Sequence, residues 1–144
     1  MALTEHQQQL LMYAKKAALE LGENDKRLTD LIGELSACDY LNLTWKPSDG
    51  YDSLTESGKR VQIKSRKSWT TDKVNPSGRL NRFGRKAGYQ FDKGIFVELD
   101  QRFEVSNLWE MDQKNIEELE RREAGGKGLH VSTFRSHARR LWPH

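Results

Sequence analysis

The run "GIFVELD", residues 94–100, constrains this chain more than any other stretch. Its branched and aromatic residues are dense enough for a strand at the centre of a sheet. Such a strand needs neighbours on both sides, and the flanking sequence offers short candidates at residues 41–45 and 103–105 and a hairpin between residues 50 and 67. Helical spacing lies outside this strand region. Residues 4–21 carry Leu10, Leu11, Ala14, Ala17, Ala18 and Leu21 on one stripe, with Thr4 as N-cap and Gly22 as the stop. Asn24 or Asp25 caps a second helix reaching about residue 40, with Leu28, Leu31, Ile32, Leu35 and Cys38 on its apolar side. Asp112 caps a third near residues 113–123, the "AGGKG" of residues 124–128 is a break, and residues 131–142 hold a final helix begun by Ser132.

A length of 144 residues suits one domain. It divides into an N-terminal helix at residues 1–22, a core at 25–100 and C-terminal elements at 101–144. Cys38 is alone, which excludes an internal disulfide and a multi-cysteine zinc site, and His6, His130, His137 and His144 show no ligand-pair spacing. No apolar stretch is long enough to span a bilayer, and the first residues lack a basic region followed by an apolar run. The expectation is a cytoplasmic protein with no membrane contact.

Charge is unevenly spread. The net charge is +3, yet residues 59–93 hold eleven basic residues against Asp72 and Asp92, a local excess of +9 that leaves −6 for the remainder. That asymmetry fits a surface for a polyanion. Residues 68–90 read as a long, mobile loop rich in Gly, Asn, Ser and Arg, and loops of that length tend to be functional. Arg66, Lys67, Lys73, Arg79, Arg82, Arg85 and Lys86 are the candidate nucleic-acid contacts. Trp69 is placed to stack on a base or to pack, and Arg135, Arg139 and Arg140 near one face of the last helix are further candidates for phosphates.

The hairpin carries the chemistry. In "GYDSLTESGKRVQIKSRK", residues 50–67, a loop of Glu56, Ser57 and Gly58 with glycine left-handed sets Asp52 across from Gln62. Val61 and Ile63 then face one way, and Gln62 and Lys64 the other, beside Asp52. An acid, an amide oxygen and an ammonium on one patch, with the Ile63 carbonyl at hand, are groups that phosphodiester hydrolysis with a hard cation requires.

Glu34 on a helix ("LIGELSA"), Asp52 opening a hairpin and Gln62-Ile63-Lys64 on its second strand ("VQIKSR") together resemble the PD-(D/E)xK nuclease superfamily. The resemblance spans roughly residues 25–100. It implies a restriction-endonuclease-like α/β (α+β) fold, a central mixed sheet flanked by helices, here with an N-terminal helical extension. It implies Asp52 as central metal ligand, Gln62 and the Ile63 carbonyl as further ligands, Lys64 as catalytic lysine and Glu34 as an outer acid holding metal through water. The cofactor implied is Mg²⁺, with Mn²⁺ as substitute. Gln62 departs from the Asp or Glu usual at its position, removing one negative charge, although some active members of the superfamily carry Gln there. The motif's proline is displaced too, Pro47 standing five residues before Asp52.

The expectation is therefore a Mg²⁺-dependent endonuclease hydrolysing DNA, with RNA also open as substrate. A homodimer would supply two sites for two strands. Two alternatives stand beside it: a nucleic-acid-binding protein of the same fold without catalysis, and an unrelated α/β protein whose basic loop contacts RNA or another acidic partner.

Overall fold

The computed structural model describes residues 3–22, 26–68 and 74–143. Helix α1 (Glu5–Glu20) starts as its sequence dictates: the Thr4 hydroxyl accepts from the Gln7 amide while the Gln7 side chain accepts from the Thr4 amide. Helix α2 (Lys26–Leu41) runs slightly beyond its expected end. Asn42 takes φ 58° and the Leu43 amide donates to the Cys38 carbonyl at 3.0 Å, a left-handed helix stop. That stop displaces the first strand, β1 (Thr44–Ser48), from residues 41–45. The caps expected at Asn24 or Asp25 lie outside the described residues, as do Trp69 and Lys73.

Strands β2 (Tyr51–Leu54), β3 (Arg60–Lys67), β4 (Lys93–Leu99), β5 (Val105–Asp112) and β6 (Arg139–Trp142) complete a six-stranded mixed sheet in order β1-β2-β3-β4-β5-β6. Every neighbouring pair is antiparallel except β3 and β4, which run parallel. Helices α3 (Gln113–Arg121) and α4 (Val131–His137) follow β5. Asp112 holds the N-cap position of α3, but its side chain makes no capping bond.

The C-terminus departs from expectation. Residues 131–142 do not form one helix: α4 stops at His137, and the last residues pair with β5. Without β6 the longest antiparallel pair of the sheet would present an unpaired edge, and "RRLW" covers it while laying Leu141 and Trp142 against the core. The partner of β4 is also longer than expected, beginning at Val105 after Phe103 turns the chain with φ 65°.

Alternation along β3 and β4 divides the core in two. Val61, Ile63, Ile95, Val97 and Leu99 face Ile32, Leu35, Ala37 and Cys38 of α2, backed by Ala14 and Ala18 of α1. Gly33 permits that approach, because a Cβ there would lie 1.7 Å from Ser65 Oγ. Phe96 faces the other way, into Leu80, Phe83, Phe91, Ile116, Val131 and Phe134. The segment expected to be a mobile loop therefore supplies Val74, Leu80 and Phe83 to the second core.

Buried Glu120 of α3 fixes that segment. Its carboxylate accepts from the Phe83 amide at 2.8 Å, the Gly84 amide at 3.1 Å and the Tyr89 hydroxyl at 2.9 Å. Glu120→Ala should strand three donors and lower stability by about 3 kcal/mol. Urea unfolding measures the loss, and amide exchange should accelerate first at Phe83 and Gly84.

Candidate functional site

Pairing between β2 and β3 is short. Ser53 pairs with Val61 and Leu54 with Arg60, a register that sets Asp52 opposite Gln62 about a turn centred on Ser57, with Gly58 at φ 87°. The expected turn and register are thus present, while the ladder itself stops before Asp52 and Gln62. Beyond Ser53 the strands part: Tyr51 pairs with Ser48 of β1, and the Ile63 amide donates to Asp52 Oδ2 at 2.7 Å. A side-chain oxygen thus takes the place of a ladder carbonyl. Because N–H and C=O of one extended residue point to the same edge, the Ile63 carbonyl also looks into this split.

Gln62 and Lys64 share the sheet face of Gly94 and Phe96. Gln62 is 3 % exposed, and its Oε1 has no hydrogen-bond partner among the described residues. Lys64 Nζ lies 5.6 Å from the centroid of the Phe83 ring, which belongs to the crossover between parallel β3 and β4, residues 68–92. Burial lowers the Lys64 pKa, opposed by the Asp52 charge and reinforced by Arg85. Burial raises that of Asp52, offset by the Ile63 amide and by the charges of Lys64 and Arg85.

Glu34 approaches from α2, which packs on the opposite face of the sheet. It meets the group at the split, accepting from Trp45 Nε1 at 3.2 Å. Burial and then the Asp52 charge push its pKa up to about 7, against the Trp45 hydrogen bond. Asp30, one helical turn earlier, was not singled out in the sequence. Its pKa is raised by burial, and the charges of Lys26, Arg66 and Lys64 oppose the rise. The signal available was the four-residue spacing in "DLIGE", which puts both acids on one helix face.

The seven basic candidates do not act alike. Lys67 turns to the helix-covered face, 4.4 Å from the Phe103 ring centroid. Arg66 donates to the Arg79 carbonyl, and Arg79 itself pairs with Glu123 at 2.8 Å and with the Gly128 carbonyl at 2.7 Å. Arg82 bonds Tyr89 and lies 3.5 Å from Glu120. These arginines tie the crossover to the sheet and α3. Arg85 and Lys86 are exposed at its tip. Arg135 pairs with Glu98, which is 1 % exposed, and Arg139 pairs with Glu110.

The fit to a hard cation is specific but sparse. Gln62 Oε1 is a buried acceptor with no donor among the described residues, and Asp52 and the Ile63 carbonyl at the strand gap are oxygens of the kind a hard cation takes. No group of three or more His, Cys, Asp or Glu that could hold a metal occurs among the described residues. No helix there is long and apolar enough to cross a membrane. No family model matches the chain, and no curated protein matches it as a relative.

The Glu34 shift carries a pH signature. An acid raised from 4.5 to about 7 on folding favours the folded state below 4.5, and that contribution is lost as pH climbs through 7. Glu34→Gln removes it. Wild type should lose roughly 1–3 kcal/mol relative to this variant between about pH 5 and 8, read by denaturant unfolding. Carbon-detected NMR should place the Glu34 midpoint near 7. An ordinary carboxylate midpoint would contradict the geometry.

Proposed function

We propose that this protein is a Mg²⁺-dependent nuclease of restriction-endonuclease-like fold, acting on DNA at the split between β2 and β3. The observation that carries the reading is the conjunction of the buried, unpartnered Gln62 Oε1 with Asp52 across the strand gap and Lys64 two residues along the same face. Asp52, Gln62 and the Ile63 carbonyl would hold the cation, with Glu34 as the outer acid. When bound, the cation would lower the pKa of a water and offset charge on the phosphate.

The remaining work falls to the chain's own groups. Lys64, beside the Phe83 ring, would hold an ammonium where negative charge develops on the phosphate. The charge of Asp52 favours that ammonium against the cost of its burial. Phe83 excludes water from one side of the lysine. Arg85 and Lys86 at the loop tip meet the DNA backbone, and a homodimer would present two such sites to a duplex.

A second reading has its own support. Gln62 in place of an acid, and the lack of a three-carboxylate cluster among the described residues, favour a nucleic-acid-binding protein that does not cut. One experiment separates the two: plasmid, single-stranded and branched DNA incubated with Mg²⁺, Mn²⁺ or EDTA. Nicking that requires metal supports the nuclease, and binding without nicking supports the second reading.

Lys64→Ala should slow nicking by about 10²-fold, since removing one preorganised charge from a transition state costs roughly 2.7–4 kcal/mol. Asp52→Ala should also abolish it, while both variants keep DNA binding in gel shifts with Ca²⁺. Gln62→Glu should lower the Mg²⁺ concentration needed for half-maximal nicking. Wild-type rates from Lys64→Ala would remove the hairpin as the active site.

A further inference from the structure

One contact near the site lies outside both cores. Arg85 Nη1 meets Asp49 Oδ1 at 3.2 Å, joining the tip of the crossover to the β1–β2 turn. Both side chains are exposed, at 54 % and 91 %. An ion pair so open to water contributes little stability and is readily exchanged for another partner. It is nevertheless positioned by rigid surroundings.

Two features fix the arginine's root. The Arg85 and Gly88 backbones bond each other in both directions, at 3.0 and 2.8 Å, closing a tight turn with Lys86 and Ala87 at its tip. Glu120 anchors the two residues before it, Phe83 and Gly84. On the facing turn, a Cβ at Gly50 would lie 2.8 Å from Gln90 Oε1, so glycine lets the two turns close on each other. Phe83 covers Lys64, and Arg85 emerges two residues later on the same segment.

Charge completes the picture. Arg85 acts on both Asp52 and Lys64, favouring the anion of one and opposing the cation of the other. The charges of Arg85 and Lys64 both bear on Asp52, and the ion pair holds the guanidinium against Asp49.

We propose that the Asp49–Arg85 pair is a latch: a phosphate group draws Arg85 from Asp49 and is shared between Arg85 and Lys64, so that Asp49 sets how readily the site accepts it. This inference rests on the reading of Lys64 as a phosphate-facing group. It makes Arg85 a phosphate-binding residue and Asp49 the competitor of the phosphate. A planar guanidinium suits this role because it can grip two phosphate oxygens at once.

The test uses the metal-free full chain and inorganic phosphate, followed by side-chain ¹⁵N NMR of arginine and lysine. Wild type should show phosphate-dependent shifts at Arg85 Nε and Lys64 Nζ. Removing the competing charge in Asp49→Asn should tighten phosphate binding about threefold, and Arg85→Ala should weaken it about tenfold. In the double variant Asp49→Asn should have no further effect, since its action passes through Arg85. Absence of shifts in wild type overturns the latch. So does Asp49→Asn binding no tighter than wild type, or a gain that survives Arg85→Ala. Both positions are exposed, and amide spectra confirm that the variants fold. If the series behaves as expected but no DNA is nicked with Mg²⁺, the nuclease reading fails while the latch stands.

Discussion

The parallel pairing of β3 with β4 is the constraint on which the rest of this structure depends. Antiparallel neighbours can be joined by tight turns, but parallel ones need a long crossover that passes over one face of the sheet. Here the crossover occupies residues 68–92, and its described part, from Val74 onward, contains no helix. A helix satisfies its own backbone; an irregular segment must find partners elsewhere. Glu120 supplies three hydrogen bonds to it, Leu129 accepts from the Leu80 amide, and Arg79 and Arg66 secure its beginning. The face it crosses carries Gln62 and Lys64. One topological requirement thus places basic chain over the polar strand residues.

Much of this was readable beforehand, for definite reasons. The α1 cap, the α2 stripe and the β2–β3 turn are local: Thr4 with Gln7, a 3.6-residue period and a left-handed Gly58 each act within a few residues. The same short range made the Asp52–Gln62 register legible. The failures are non-local. Whether "RRLW" is helix or strand depends on the open edge of β5, which no local signal reports. The crossover looked loose because its Gly, Asn and Arg content is loop-like, whereas Val74, Leu80, Phe83 and Phe91 are spaced to suit a core assembled from α3, α4 and β4. Arginine counting gave the sign of the surface but not its division between exposed Arg85 and the tied Arg79.

The charge balance of the split explains why an amide is reasonable at position 62. Asp52 and Asp30 already have carboxyl pKa values raised by burial, and Glu34 is pushed up to about 7. A further carboxylate on β3, at a position 3 % exposed, would add desolvation and like-charge repulsion to a group that holds its existing anions at a cost. Gln62 offers the same oxygen without the charge. The penalty is an acceptor left without a donor, a loss of about 1–3 kcal/mol when no ligand answers it. On the proposed reading, an arriving cation relieves that penalty while also drawing Glu34 toward its ionised form. Ligand and acid would then be recruited together, and the metal-free protein avoids a buried negative charge at position 62.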